Sequence, residues 1–223
     1  MDVTLGLFPV RLAGYSFHFV APGGLYWPAE KALLIADLHL GKDATFRAAG
    51  IGVPRGSTRA TLGSVSRMIE ATLPETLYIL GDLCHARSSL SAETKACFEQ
   101  FRDRHASIDM VLSDGNHDRS VGRLPEQWGL RRVGGSHRVA GVGLTHVPSG
   151  CPSDCDLLVA GHVHPAHALT HAGETTGKLP CFWYRDRCLI LPACGHFTGT
   201  AKIDAGSSDQ IWLVAEDRIV ELG

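Results

Sequence analysis

No stretch of this sequence approaches the roughly 18 consecutive apolar residues that a transmembrane helix requires, so no membrane span is predicted. The opening segment MDVTLGLFPVRLAG has an acid at position 2 and no basic stretch before its apolar residues, which predicts that no secretory signal is present. A large charge of one sign is also lacking, since the formal net charge is −2 over 223 residues. With 44% hydrophobic residues, the composition is typical of a soluble globular protein.

Paired cysteines are lacking as well. The seven cysteines are an odd number and lie scattered along a chain that is long enough to fold without disulfides. They are therefore predicted to be reduced thiols of a cytoplasmic protein. Cys151 and Cys155 are the one close pair in a loop-like stretch, and no second pair accompanies them to complete a zinc site.

Two signatures of common hydrolase sites are missing. The chain has no Gly-x-Ser-x-Gly segment, so no nucleophilic serine of the α/β-hydrolase type is indicated. It also has no Gly-x-x-x-x-Gly-Lys-Ser/Thr loop, the usual phosphate cradle of nucleotide hydrolases. We therefore expect any hydrolysis to proceed without a nucleophile from the protein.

The spacing of apolar residues predicts an α/β arrangement in the first half of the chain. Residues 57–72 and 91–104 have apolar positions near helical spacing, and Pro74 follows the first segment as a stop. Short apolar runs bounded by polar or glycine-rich segments are typical of buried strands, and their alternation with helices indicates a largely parallel sheet. These runs are ALLIA (32–36), TLYIL (76–80), IDMVL (108–112), GVGLT (141–145) and DLLVA (156–160).

The rest of the chain predicts mainly strands. Helical spacing fades after about residue 128, and strand-like runs follow, with turns predicted at residues 185–187 and 216–217. The first forty residues are also strand-like, with a turn at residues 22–24. No linker or repeat divides the chain, so one domain over residues 1–223 is predicted, with two packed sheets flanked by helices.

Five polar motifs follow apolar runs, where strands end and loops begin. Ligands collect beyond the carboxyl ends of strands in open α/β sheets, so these positions indicate a common site. Each motif alone carries little weight, because a single histidine is more often structural than a ligand. The motifs are Asp37-Leu38-His39, Gly81-Asp82, Gly115-Asn116-His117-Asp118, His146 and Gly161-His162-Val163-His164.

The spacing within two of these motifs suits metal ligands. Asp37 and His39 are two residues apart, as are His162 and His164, so an extended backbone would direct both side chains of each pair to one side. Carboxylate, imidazole and amide groups together suit manganese, iron or zinc. A dinuclear site also needs a carboxylate that bridges the two ions, and Asp82 is the natural candidate.

Taken in order, the segments DLHLG, GDL, GNHD, His146 and GHVH resemble the motif series of the calcineurin-like metallophosphoesterases over about residues 33–165. The resemblance implies a four-layer αββα sandwich of two mixed sheets with two divalent ions at the carboxyl ends of its strands. It assigns the first ion to Asp37, His39 and His164. It assigns the second ion to Asn116, His146 and His162, and makes Asp82 the bridge.

The chemistry that follows from such a centre is phosphoester hydrolysis. Two adjacent cations lower the pKa of a water between them and stabilise charge on the phosphoryl group. His117 has no ligand role in the family pattern and is predicted to stabilise the transition state or to protonate the leaving oxygen. His85 stands where serine/threonine phosphatases of the family have aspartate, and there it resembles a histidine of the repair nucleases. The competing interpretation is an ordinary loop histidine.

A narrower resemblance covers about residues 33–200. The segments DLHLGKDATFRAAGIGVPRGSTRATL (37–62) and LPACGHFTGT (191–200) resemble the bacterial DNA-ligase-associated metallophosphoesterases. This implies a manganese-dependent phosphodiesterase that acts as an endonuclease on single-stranded DNA, with zinc or iron as other candidate ions. It also implies a functional association with the DNA ligase and helicase of a repair cluster.

Four basic residues near the first motif are predicted to bind the substrate: Lys42, Arg47, Arg55 and Arg59, the last two in a glycine- and proline-rich loop. Cations there could follow the backbone phosphates of a strand with salt-sensitive affinity. The same residues could grip one terminal phosphate, so a small-molecule or nucleotide phosphodiesterase or phosphomonoesterase is the alternative. A binding module with a vestigial centre is a third possibility, against which the intact ligand set counts.

Overall fold

The computed structural model describes residues 6–171 and 174–222, and its first half forms a seven-stranded sheet. The strands lie in the order in which they occur along the chain. The first four pair antiparallel and the last four pair parallel, so the sheet is mixed. They are β1 (Leu7–Leu12), β2 (Tyr15–Val20), β3 (Gly24–Trp27), β4 (Ala32–Ile35), β5 (Thr76–Leu80), β6 (Asp109–Ser113) and β7 (Leu130–Val133).

The second half forms another mixed sheet, of nine strands. Its strands are β8 (His137–Val139), β9 (Val142–Thr145), β10 (Leu157–Ala160), β11 (Pro165–His171), β12 (Glu174–Arg185), β13 (Cys188–Ile190), β14 (Ala201–Lys202), β15 (Gln210–Ala215) and β16 (Arg218–Leu222). The order is β14-β11-β12-β13-β10-β9-β8, and β15 pairs with both β12 and β16. Strands β9, β10 and β13 are parallel neighbours at its centre.

Four α-helices lie between strands of the first sheet or beside it: α1 (Lys42–Ala48), α2 (Ser57–Thr72), α3 (Ala92–Arg104) and α4 (Asn116–Val121). The predicted helices correspond to α2 and α3. Helix α3 is capped by Ser91, whose Oγ accepts a hydrogen bond from the Thr94 amide at 3.1 Å. Helices α1 and α4 were not predicted, because each is too short to show a repeating apolar pattern. No helix in the described ranges has the length and apolar character needed to cross a bilayer.

Two apolar cores hold these layers together. One lies between the sheets, where Phe19 of β2 stacks on Phe182 of β12 with ring centroids 4.0 Å apart. The other lies between the first sheet and its helices, where Phe98 of α3 stacks on Trp128 at 4.2 Å. The predicted α/β sandwich of two mixed sheets with flanking helices is confirmed, and no α-helix follows Val121 in the described residues.

The predicted turns and the predicted state of the cysteines also agree with the structure. Turns occupy Asp186-Arg187 and Glu216-Asp217, and a turn over residues 21–23 precedes β3. All seven cysteines are free. The Cys151 thiol donates to the Cys155 carbonyl oxygen at 3.5 Å, and neither thiol belongs to a metal-binding cluster of the described residues.

The carboxyl end of α2 generates a prediction about stability. Leu73 caps this helix in the left-handed conformation, with φ of 48°, while its side chain is 78% exposed. This conformation costs a residue with a side chain about 1–2 kcal/mol, and glycine avoids that cost but gives up about 0.5–1 kcal/mol of chain entropy. We therefore expect Leu73→Gly to raise the free energy of unfolding by about 0.5–1 kcal/mol in urea denaturation. Leu73→Ala is the control, and an equal gain there would show that the backbone conformation is not the cause.

Candidate metal centre

The polar motifs converge through unusual backbone conformations. Five predicted ligands have positive φ: Asp37 at 55°, His39 at 45°, Asp82 at 48°, His162 at 71° and His164 at 51°. The expectation of an extended backbone within each two-residue pair was therefore wrong. After β4, β5 and β10, left-handed residues instead turn their side chains into a shared space. Such conformations cost about 1–3 kcal/mol each for residues other than glycine and cluster at functional sites.

One group of ligand atoms comes from Asp37, His39 and His164, all within 4.8 Å of one another. The Nε2 atoms of the two histidines lie 3.3 Å apart, and His164 Nε2 lies 3.6 Å from Asp37 Oδ1. The other nitrogen of His164, Nδ1, lies 3.0 Å from the Gly199 carbonyl oxygen. A carbonyl can only accept, so Nδ1 carries a proton and donates, while Nε2 faces the group.

Burial and the neighbouring carboxylate determine which of these imidazoles favours its neutral form. Burial, and then the neighbouring charges of His164 and His117, lower the pKa of His39 to about 2, so His39 is neutral at physiological pH. For His164, burial opposes the charged form, but the negative charge of Asp37, whose Oδ1 lies 3.6 Å from Nε2, outweighs it and raises the pKa of His164. A neutral imidazole beside a carboxylate is the form in which histidine binds a metal.

A second group comes from Asp82, His146 and His162, with Asn116 beside them. His146 Nδ1 donates to the Leu80 carbonyl oxygen at 3.0 Å, which leaves the lone pair of Nε2 directed into the site. That lone pair faces Asn116 Oδ1 at 2.9 Å and His162 Nδ1 at 3.1 Å. Burial, and then the neighbouring His146, lower the pKa of His162, which keeps it neutral as well.

Asp82 stands between the two groups. Its Oδ2 lies 3.8 Å from His39 Nε2 in the first group, and its Oδ1 lies 3.5 Å from His146 Nε2 in the second. Asp37 Oδ1 is buried and has no hydrogen-bond partner, which is costly for a carboxylate oxygen unless a cation compensates it. The residues present therefore fit two divalent ions, with one carboxylate between them.

His117 and His85 lie at the edge of the first group. Their rings stack with centroids 4.9 Å apart and an interplanar angle of 28°. His117 Nδ1 donates to the His85 carbonyl oxygen at 2.6 Å, so its Nε2 faces Asp82 Oδ2 at 3.9 Å. Burial, followed by the charges of His117 and Lys42, lowers the pKa of His85. The structure thus places both predicted catalytic histidines beside the predicted ligands.

Among solved structures, the nuclease MPE of Pseudomonas putida matches this chain with a TM-score of 0.84 and 34% sequence identity. The match covers 97% of this chain and 100% of that one. This chain belongs to the calcineurin-like metallophosphoesterases. The predicted resemblance to the DNA-ligase-associated members is confirmed. A protein of unknown function from Aquifex aeolicus, AQ665, also matches, at 18% identity and a TM-score of 0.39 over 64% of this chain and 81% of that one. Neither a family profile nor a curated protein matches the sequence.

Two motif glycines of this metallophosphoesterase make room for ligands. A β-carbon on Gly81 would lie 2.2 Å from His146 Nδ1, and one on Gly115 would lie 2.2 Å from Asp82 Oδ1. Both distances are well inside van der Waals contact. Each of these two motifs therefore begins with glycine because a ligand from another motif packs against its backbone.

Asp118 ties two of the ligand loops together. It is 1% exposed, and its carboxylate accepts hydrogen bonds from the amides of Gly115 at 3.1 Å, Cys84 at 3.2 Å and Leu83 at 3.4 Å. All three of these donors are backbone amides. The loop after Asp82 is thereby held against the loop that carries Asn116 and His117.

The four predicted substrate-binding cations lie in different surroundings. Lys42 is half-buried at the start of α1, and its charge lowers the pKa of both His39 and His85. Arg47 is committed within the protein, since its Nη1 donates to Asp43 at 3.0 Å and to the Pro54 carbonyl oxygen at 3.2 Å.

The other two cations lie farther from the ligands. Arg55 is exposed and lies 4.0 Å from Glu93. Arg59 is within α2 rather than in the loop before it, and it lines a small cavity of about 160 Å³ between α2 and α3. Of the four residues, Lys42 is the one whose charge acts on the candidate catalytic histidine His85, and the substrate-binding role of all four stays a prediction.

Sequence reasoning missed the groups that orient the ligands. The carbonyl oxygens of Leu80 and Gly199 select the tautomers of His146 and His164, and backbone carbonyls leave no signal in side-chain patterns. The segment 191–200 also anchors itself to α2, since His196 Nε2 lies 2.9 Å from Ser64 Oγ. Phe197 in that segment meets Phe46 edge to face at 5.7 Å.

The packing at Gly115 predicts how the centre can be damaged without touching a ligand. Gly115 has φ of −81°, so Gly115→Ala causes no backbone strain but pushes a methyl group into Asp82 Oδ1. We expect it to weaken divalent-ion binding by about tenfold or more, the scale seen when outer-shell groups are lost. Calorimetric titration with manganese measures this. Gly63→Ala is the matched control, because a β-carbon there meets nothing within 4 Å. Unchanged affinity in Gly115→Ala would contradict the packing argument.

Proposed function

We propose that this metallophosphoesterase is a metal-dependent nuclease that hydrolyses DNA phosphodiester bonds, and that it acts as an endonuclease on single strands. The observation that carries the proposal is the position of Asp82, which directs one carboxylate oxygen toward each of two ligand groups. The similarity to the nuclease MPE of Pseudomonas putida over the full length of that chain supports a nucleic-acid substrate.

The ions supply the part of the chemistry that the side chains lack. When bound, two divalent ions would activate the attacking water and stabilise negative charge on the phosphoryl oxygens. Manganese is the proposed ion, and zinc or iron are the other candidates, because the mixed set of carboxylate, imidazole and amide groups suits each of them. Asp37, His39 and His164 would hold one ion, Asn116, His146 and His162 the other, and Asp82 both.

His117 and His85 have distinct parts in the proposed reaction. His117 Nδ1 donates to the His85 carbonyl oxygen, so a proton for the leaving oxygen would come from Nε2 of the doubly protonated ring. The lowered pKa of His85 keeps that imidazole neutral, so it offers a hydrogen bond rather than a charge to the phosphate. The stacked rings hold both groups on one side of the ligand atoms.

The proposed cellular role and compartment rest on the family resemblance. Action in DNA repair, in the cytoplasm and in functional association with a DNA ligase and a helicase, is supported by the similarity to the DNA-ligase-associated metallophosphoesterases.

A circular single-stranded DNA tests the proposed function. Such a circle has no ends, so its loss requires internal cleavage. We expect metal-stripped protein to convert it to linear and shorter strands on addition of manganese. Asp82→Asn should reduce the rate at least 100-fold, because the shared carboxylate charge is lost. The readout is the band pattern on a denaturing gel. Hydrolysis of a chromogenic phosphodiester with the circle left intact would move the substrate to a small molecule.

The role of His85 is tested by comparing two ester types. His85→Ala should lower hydrolysis of a chromogenic diester at least tenfold more than hydrolysis of a chromogenic monoester, because the imidazole is proposed to contact the scissile diester phosphate. Steady-state kcat/KM for both substrates gives the ratio. His137→Ala is the control, since His137 lies in β8, a strand that carries no predicted ligand, and contacts Tyr78. Equal losses on both esters would leave His85 as an ordinary loop histidine.

A further inference from the structure

A basic cleft lies next to the candidate metal centre, between the segment after His85 and helices α3 and α4. It encloses about 450 Å³, and the side chains of Arg87, Lys95, Ser120 and Arg123 contribute to its lining. A neighbouring cavity of about 410 Å³ shares Lys95 and Arg123 and continues along residues 124–127. We name this pair of cavities the α3–α4 cleft. It contains none of the four cations predicted from the sequence to bind substrate.

We propose that the α3–α4 cleft binds the backbone phosphates of a nucleic-acid strand whose scissile bond lies at the metal centre. This rests on the proposed nuclease function and assigns the strand a path that the sequence did not indicate. The three observations that support it are the distance of the cleft from the catalytic histidines, the free state of its cations, and its length.

The cleft begins within one helical turn of the candidate catalytic histidines. Helix α4 starts at Asn116, and the Ser120 hydroxyl donates to the His117 carbonyl oxygen at 2.7 Å. A rise of 1.5 Å per residue places Ser120 about 5 Å beyond His117 along the helix. On the other wall, Arg87 follows His85 by two residues. A strand that leaves the centre past these two imidazoles therefore enters the cleft directly.

Two of its three cations are free to bind an anion. The side chains of Arg87 and Lys95 take part in no ion pair or hydrogen bond with the residues that the structure describes. Arg123 pairs with Glu126, the one carboxylate in the lining of either cavity. The lining thus carries three positive charges against one negative charge. By contrast, Arg47 and Arg55 near the first motif already have carboxylate neighbours.

The length of the cleft distinguishes a polymer from a small ester. Its two cavities adjoin through Lys95 and Arg123, so a strand could place more than one phosphate there. A chromogenic diester held at the metal centre has no further phosphate to reach it. Cations without a fixed hydrogen-bond pattern bind phosphates of any sequence, and each contact contributes to the salt dependence of binding.

Oligonucleotide binding tests the assignment. The variant Arg87→Gln/Lys95→Gln is compared with Lys31→Gln/Arg218→Gln, which removes the same charge elsewhere. Lys31 precedes the amino end of β4, opposite the end that carries the metal ligands, and Arg218 begins β16. Fluorescence anisotropy of a labelled single-stranded oligonucleotide, in EDTA and over a range of salt, measures binding without cleavage. Hydrolysis of a chromogenic diester with manganese is measured in parallel.

We expect the cleft variant to bind about tenfold or more weakly at low salt. The slope of log K against log salt should fall in magnitude by about 1.4, since each single-strand phosphate contact contributes about 0.7. The control variant should keep the wild-type slope. The loss of oligonucleotide binding should exceed any loss of chromogenic-diester hydrolysis at least tenfold. The retained hydrolysis of the chromogenic diester also shows that the variant is folded.

Two results would overturn the assignment. A slope and an affinity in the cleft variant equal to those of the control would place the strand elsewhere. A loss of chromogenic-diester hydrolysis as large as the loss of binding would mean that these cations act on the metal centre itself. Failure of the wild-type protein to bind the oligonucleotide at any salt concentration would instead contradict the proposed nucleic-acid substrate.

Discussion

The structure depends on the burial of two carboxylates among imidazoles that face them with lone pairs. Asp37 is 0% exposed and Asp82 is 2% exposed, and Asp37 Oδ1 has no hydrogen-bond partner. Burial lowers the pKa of His39 to about 2, so this neutral imidazole cannot compensate the buried negative charge. Divalent cations would satisfy the carboxylates and the lone pairs together, which would couple ion binding to the stability of this region.

That arrangement requires backbone strain, which the surrounding hydrogen bonds maintain. The left-handed residues Asp37 and His39 are held by hydrogen bonds that their backbone amides donate to the carbonyl oxygens of Gly81 and Asp82, at 3.3 Å and 2.9 Å. The His162 amide donates to Asp37 Oδ2 at 2.8 Å, so the second sheet is tied to the first through a ligand itself. Strands β4, β5 and β6 are parallel neighbours with buried residues, and they determine where the ligand loops that follow them begin. Their packing offsets the free-energy cost of the backbone strain.

Much of the fold could be predicted because its central strands are buried on both faces. Continuous apolar runs therefore located β5 at its observed bounds, and β4, β6, β9 and β10 within one residue at each end, while helical spacing located α2. The position of the motifs after strands predicted a common site, and their division between two ions came from the family resemblance. The left-handed conformations were not predictable, because aspartate and histidine more often adopt extended or helical backbone. Likewise, the α3–α4 cleft combines residues from three separate segments that no local pattern connects.

The two basic regions differ in whether their cations are already paired. Lys42, Arg47, Arg55 and Arg59 are close together in the chain, yet Arg47 is bonded to a buried aspartate and to a carbonyl oxygen. A cation that is already paired must lose its partner before it can bind a phosphate, so its net contribution to affinity is small. Arg87 and Lys95 are separated by seven residues and stand out in no charge count, but their side chains have no such partner to give up among the described residues. If the α3–α4 cleft binds the strand as we propose, the unpaired state of a cation predicts the binding of a polyanion better than its sequence neighbours do.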